Sequence, residues 1–366
     1  MGLLRLFLAI SVLLFHANTA GLQFVGGGIA VESFFLISGF YMSLVLNKKY
    51  TGVNNSYSLF ITNRLLKIYP SYWTILLLTV MMQLIVWLCT GQPVFVLYQL
   101  VHYKLNWGAI AFLSFTNLAL FGQDMIGFMI LNKATGALVF TTDFLKAYPF
   151  VFSFVFIPQG WSLAVELLFY LTAPFLVRRK MYVVLIIMVL VLALRVWLLD
   201  GLHLPYDPWI FRFFPSQLLF FLLGNMAYRL YIFSQQRIEI SAGAVRLVLA
   251  AAIAATVLYP YVSNSFPKRE AYYAVVFLAL PVITNAQRVF KYDTRFGELS
   301  YPVYLVHMLV LSTLKTLQSQ FPSLQVLPVS LTTLVISIAA AAMINAWVVR
   351  PINRYRQSRV KPVMAA

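Results

Sequence analysis

Ten apolar stretches recur along this chain, near residues 3–20, 28–46, 70–90, 161–177, 181–199, 209–233, 243–262, 270–287, 298–318 and 328–349. Each is long enough, or nearly so, to cross about 30 Å of hydrocarbon at about 1.5 Å per helical residue. Lipid offers no partner to a backbone N–H or C=O, so such segments must satisfy their own polar groups as helices. The expected fold is an all-α polytopic membrane protein, a bundle of about ten transmembrane helices. Composition agrees: 61% of the 366 residues are hydrophobic and 10% are charged, against about half and about a quarter in soluble domains. A soluble enzyme, a disordered chain and a nucleic-acid binder are excluded.

Lys and Arg number 27 against 10 Asp and Glu, a net charge of +17. The basic residues fall in alternate loops: Lys48, Lys49, Arg64 and Lys67; Arg178, Arg179 and Lys180; Arg229, Arg237 and Arg246; Arg288, Lys291 and Arg295; then Arg350, Arg354, Arg356, Arg359 and Lys361. Positive charge accumulates on the cytoplasmic side of membrane proteins, so both termini are expected there. Lys268 and Arg269 are the main exception. The stretch 91–160 must begin and end on one side. It crosses zero or two times, or forms a re-entrant hairpin or an interfacial lid. Residues 1–350 form one transmembrane domain and 351–366 a short basic tail. Arg5 followed by LFLAISVLLF looks like a signal peptide with a cleavage region at 17–20, but Asn18 fits that region poorly and His16 interrupts the run. A retained first helix is expected. The single cysteine, Cys89, allows no intramolecular disulfide, and no metal site is expected.

Ionisable groups at membrane depth are costly and mark candidate sites. Arg229 and Lys315 sit near helix ends, where snorkelling explains them. Arg195 and Arg212 sit at outer ends and read as interfacial anchors or as cavity residues. Arg5 and His16 are 11 residues apart, so they share one face of the first helix, about 16 Å apart along its axis. An interfacial arginine and a core histidine account for either alone; the pair on one face favours function. Glu166 has Ser162 and Tyr170 one turn away on either side, and a carboxylate within a helix must be paired, hydrated or protonated. His307 follows Tyr304 by one turn; aromatic packing with a satisfied histidine is the competing reading. Glu32 follows Gly26-Gly27-Gly28 near the outer end of the second helix, where it is expected near His16 and able to hold that imidazole in one tautomer. Arg64 and Lys67, at i and i+3, suit a phosphate-bearing ligand, whereas Lys48 and Lys49 read as ordinary positive-inside charge.

Taken in order, these segments resemble the acyltransferase-3 family of integral membrane acyltransferases, over nearly the whole chain. The Arg5-to-His16 spacing is similar to that family's arginine–ten residues–histidine signature. AVESFFLISGF, NRLLKIYPSYW, WSLAVELLFY and LSYPVYLVH resemble four further segments, with Glu32 in the acidic position of the first. Lys67 stands where the family usually has a second arginine. Val349-Arg350-Pro351 stands where it often has Glu-x-Pro, so no role is assigned there.

The resemblance implies a cytoplasmic acetyl-CoA (acyl-CoA) donor and a sugar hydroxyl as acceptor, on a bacterial surface or exported glycan such as an exopolysaccharide, an O-antigen or a lipochitooligosaccharide. It implies a multi-pass protein of the bacterial inner membrane, in contact with membrane lipid, with no permanently bound cofactor. Arg5, Arg64 and Lys67 would hold the phosphates of the donor. His16 would be the base, because its ordinary pKa lies near neutrality, with Glu32 or Glu166 orienting it or binding the sugar. Ser162, Tyr170 or a backbone amide near the glycines would stabilise the oxyanion. His307 is a secondary polar-site residue. Ser38 and Ser300 are candidate acyl carriers, although serines also bond back to their own helix. The competing functions are a transporter or flippase for a lipid-linked sugar, which would tend to show inverted repeats or broken helices, and a non-catalytic scaffold.

Overall fold

The computed structural model describes residues 1–17, 22–237, 239–284 and 289–360. Helices α1 (Gly2–Ala17), α2 (Gly27–Lys48) and α3 (Tyr57–Thr90) open the chain, followed by the short α4 (Phe95–His102) and α5 (Trp107–Ala119). A small antiparallel hairpin pairs β1 (Met129–Leu131) with β2 (Leu138–Phe140), Met129 opposite Phe140. Then come α6 (Trp161–Leu176), α7 (Met181–Val196), α8 (Phe214–Gln235), α9 (Ala242–Leu258) and α10 (Lys268–Ile283). The last helices are α11 (Asp293–Gln320), α12 (Val329–Ile344) and α13 (Arg350–Ser358).

Each of the ten apolar stretches overlaps a helix within the described residues. Among the described residues, five helical runs are long and apolar enough to cross a membrane: α2, α3, α7 with its continuation to Gly201, α9 to Tyr261, and the run Val329–Ser358 formed by α12 and α13. The all-α class agrees with the expectation, while the described residues hold five spans of that length and apolarity against the about ten expected. The reason is partly chemical: α8 and α11 are long but carry Asn225, Arg229, Glu298, His307 and Lys315. The helix expected to begin near residue 70 begins at Tyr57 instead, because Pro70 is accommodated within it. Arg64 and Lys67 therefore ride on α3, not in a loop. Residues 350–358 are helical, so the basic segment begins as a helix, with some positions partly buried. The proposed cleavage region from Asn18 on, Arg288 and Lys361 lie outside the described residues.

The chain divides into two compact units. The first comprises Met1–Ser71, Ala173–Arg179 and Phe220–Ala366. Within it α2 is mostly buried, and glycines let helices touch backbone to backbone: a Cβ on Gly39 would overlap the Phe221 carbonyl, and one on Gly224 would overlap that of Leu36. Gly2 and Gly297 do the same for α1 and α11, where a Cβ on Gly297 would lie 2.9 Å from the Gly2 Cα. Small residues permit such contact where no hydrophobic force drives helices together. The Asp293 carboxylate accepts the Gly2 and Leu3 N–H groups, each at 2.9 Å, and so caps α1. Because the start of α1 meets the start of α11 and His16 meets His307, these two helices run parallel.

The second unit comprises Tyr72–Thr172 and Lys180–Leu219. Its stretch 91–160 holds α4, α5, the hairpin and short 3-10 turns around a core of Leu113, Ile126, Leu131, Val151, Phe154 and Val155. Neither α4 nor α5 has the about 20 residues a lone span requires. Asn117 ties the core together, donating to Leu113 and Phe154 carbonyls and accepting the Phe156 N–H.

Candidate active site

The cationic ends of several helices in the first unit meet around a cavity of about 740 Å³. Arg5 of α1, Lys48 of α2, Lys49, Arg64 and Lys67 of α3, and Arg356 of α13 all line it; the acidic residues there are Asp293 and Glu298. The three cations expected to act together, Arg5, Arg64 and Lys67, are thus brought to one cavity. Lys48 and Lys49, read from sequence as ordinary loop charge, also line it. Lys48 ends α2 and Lys49 follows it, so the end of that helix carries both to the cavity lining, which is compatible with the positive-inside reading.

Arg64 is the unusual member. It is 7% exposed. Its guanidinium lies 5.7 Å from the Phe60 ring centre, and Nη1 is 4.0 Å from the Met42 sulfur. Its Nε is buried with no hydrogen-bond partner among the described residues. A buried cation without a carboxylate is costly. An anion entering the cavity would remove that cost. Arg5 stacks over Tyr41 at 5.9 Å.

Farther along α1 and α11 lies a pair of imidazoles. His307 is fully buried, and its Nδ1 is 2.6 Å from the Tyr304 carbonyl. A carbonyl only accepts, so this nitrogen carries the proton and Nε2 carries the lone pair. That lone pair lies 3.2 Å from His16 Nδ1, which is also 2.9 Å from the Val12 carbonyl. Both neighbours of His16 Nδ1 are acceptors, so it too is protonated. The His16 Nε2 is left as the basic nitrogen. This chain of bonds gives a half-buried imidazole the tautomer that a general base needs.

The expected partner of His16 was Glu32, and the structure corrects this. Glu32 is fully buried in an ion pair with Arg269 of α10, whose Nη2 donates to Oε2 at 2.7 Å and to Oε1 at 3.0 Å. The Tyr273 hydroxyl also donates to Oε2. Glu32 lies in the second turn of α2 and Arg269 in the first turn of α10, so the cluster lies toward the opposite end of these helices from the cavity. The carboxylate pairs with Arg269, one of the two basic exceptions to the loop pattern, and His307 takes the place expected of an acid beside His16.

Glu166, Tyr170 and Ser162 lie on α6 within the second unit. The Tyr170 hydroxyl donates to Glu166 Oε1 at 2.5 Å, as the one-turn spacing anticipated. Ser162 Oγ donates to the Gln159 carbonyl at 3.1 Å. In the same unit Arg212 pairs with Asp207 at 2.9 Å and stacks over Trp161 at 5.0 Å, and Arg195 donates to the Ser216 carbonyl at 3.0 Å. Ser300 Oγ bonds back to Gly297 O at 2.7 Å, the local satisfaction that competes with an acyl-carrier role. Among the described residues there is no cluster of His, Cys, Asp and Glu suited to a metal.

Sequence reasoning did not anticipate Arg356 or the residues that support the cavity wall. The signal was present in Asn353, Arg356, Gln357 and Val360, whose spacing marks one face of a helix.

A family model described as an acyltransferase domain, that of acyltransferase-3, matches residues 1–342. The chain belongs to the acyltransferase-3 family. This acyltransferase is accordingly a multi-pass membrane protein, and the five apolar helical runs agree. No curated protein and no solved structure matches it. In this acyltransferase-3 chain the arginine–histidine signature joins the two features described above: Arg5 lies in the cationic cavity and His16 in the imidazole pair.

Proposed function

We propose that this acyltransferase transfers an acetyl group from acetyl-CoA to a sugar hydroxyl of an exported or surface glycan, in a bacterial inner membrane with the cationic cavity facing the cytoplasm. The observation that carries the donor assignment is the buried Arg64 guanidinium, which has no carboxylate partner among the described residues and faces a cavity rich in cations. Acetyl-CoA has a phosphate-bearing nucleotide end and a long pantetheine arm. The phosphates would sit among Arg5, Arg64 and Lys67, and the arm would run along α1 and α11 toward His16, about 16 Å from Arg5 along the axis. The sugar acceptor rests on the family resemblance.

Direct transfer is favoured over an acyl carrier at Ser300 by the engagement of the Ser300 hydroxyl with the Gly297 carbonyl. His16 Nε2 takes the proton of the sugar hydroxyl as its oxygen attacks the thioester carbonyl. The tetrahedral intermediate then expels the thiolate, breaking the C–S bond. The imidazolium returns its proton to the sulfur, giving CoA thiol and a sugar ester. His307 accepts from His16 Nδ1 throughout and so holds the ring as its charge changes. Glu166 with Tyr170 is a polar pair suited to sugar hydroxyls.

The test uses purified protein in vesicles with radiolabelled acetyl-CoA and a panel of lipid-linked glycans. Wild type should label a glycan, His16→Ala should not, and Arg64→Ala should raise the donor KM without changing membrane insertion. Full activity of Arg64→Ala at limiting donor would refute the phosphate grip. A wild-type protein that neither binds nor consumes acyl-CoA would refute the whole assignment.

A further inference from the structure

One wall of the cationic cavity lies beyond the family match, which ends at residue 342, whereas α13 begins at Arg350. The partly buried positions of this segment are Ile352, Asn353, Arg356, Arg359 and Val360; Arg354, Tyr355 and Ser358 are exposed. Steps of three and four put the first set on one inward face. Asn353, Arg356, Gln357 and Val360 line the cavity. Just past the helix, Arg359 reaches α3. Its Nη1 donates to Asn63 Oδ1 and its Nη2 to Thr62 Oγ1, both at 2.9 Å. Asn63 donates in turn to the Tyr50 hydroxyl at 2.9 Å, and the residue after Asn63 is Arg64.

We infer that α13 is the closing wall of the donor site: Arg356 binds a phosphate of the acyl-CoA nucleotide, and Arg359 is a positioning residue that clamps α13 to α3 beside Arg64. This rests on the acyl-CoA reading above. Lys67 is a point charge where the resembled segment has arginine, and it lacks the planar fork that grips two phosphate oxygens at once. Arg356 supplies such a fork on the same cavity from a different helix. Arg359 makes its side-chain bonds to Asn63 and Thr62, which are neutral, so they register one helix on another without a counter-charge. The outward Arg354 carries the same charge two residues from Arg356 and has no part in the cavity.

The experiment measures binding of radiolabelled acetyl-CoA to the full chain in nanodiscs, with thermal unfolding of the unliganded protein alongside. Arg356→Gln should weaken binding about tenfold, the usual scale for one hydrogen bond to a charged group, with thermal unfolding unchanged. Arg356→Lys should recover part of the loss. Arg359→Ala should weaken binding in the same direction, and Arg354→Gln should leave it unchanged. S-acetylpantetheine, which lacks the nucleotide, should compete equally well against wild type and Arg356→Gln. If Arg64→Ala weakens binding but Arg356→Gln and Arg359→Ala do not, the role of α13 is refuted and the donor reading survives. An equal loss in Arg354→Gln would also refute it, because general charge would then be the cause. If wild type does not bind acetyl-CoA, both readings fall together.

Discussion

His16 Nδ1 lies 3.2 Å from His307 Nε2, and each imidazole also contacts a carbonyl of its own helix, at Val12 and Tyr304. These contacts orient two rings in series and leave one basic nitrogen, on His16. His16→Ala should therefore lower kcat by about 100-fold or more, the scale of general-base catalysis. His307→Ala should lower kcat less, with donor KM unchanged, and His307→Gln should restore part of the loss by presenting an acceptor to His16. Steady-state kinetics separates these outcomes. A His307→Ala enzyme with wild-type kcat would show that the second ring is only packing.

Glu32 and Arg269 form the most buried side-chain ion pair described, with Glu32 1% exposed. Removing Glu32 leaves the Arg269 guanidinium, about one-third exposed, without its carboxylate and leaves a cavity where Glu32 was, so the cost falls below that of a fully buried pair. Glu32→Ala should lower the unfolding temperature markedly, and Glu32→Met with Arg269→Met should recover most of it. A Glu32→Ala protein that unfolds like wild type but is inactive would return Glu32 to the chemistry.

Gly39 and Gly224 put α2 and α8 in backbone contact. Neither position has room for a methyl group, and the obstruction is a carbonyl, which cannot rotate away. Gly39→Ala and Gly224→Ala should each reduce folded protein in the membrane, measured by size-exclusion profile in detergent. A monodisperse Gly39→Leu protein of normal activity would contradict this packing.

Asp124, in the loop-rich stretch between α5 and α6, is pushed by burial up to about 6. Its carboxyl binds a proton in the folded state between about pH 4 and 6 where the unfolded chain does not. The folded state is therefore favoured as pH falls through that window and penalised above it, by up to about 3 kcal/mol. Asp124→Asn should stabilise the protein at pH 7.5 and have little effect at pH 4.5. Thermal unfolding of both proteins at the two pH values tests this, and an equal effect at both would remove the linkage.

The helical class and membrane setting were legible in the sequence because apolar runs of helical length leave the backbone one economical way to satisfy itself in lipid. The positions of Arg5, Arg64, Lys67, His16, Glu166 and His307 were legible because charges and imidazoles are conspicuous in such runs. The Glu166–Tyr170 bond was readable too, since it lies within one turn of one helix. Partners across helices were not. Local periodicity states which face a residue occupies, but not which neighbouring helix covers that face. Only packing decided that His16 meets His307 while Glu32 goes to Arg269, and that Lys48, Lys49 and Arg356 join the same cavity as Arg64. Those choices follow from glycine contacts and helix lengths, which set how closely and in what register the helices meet, and no single segment contains that information.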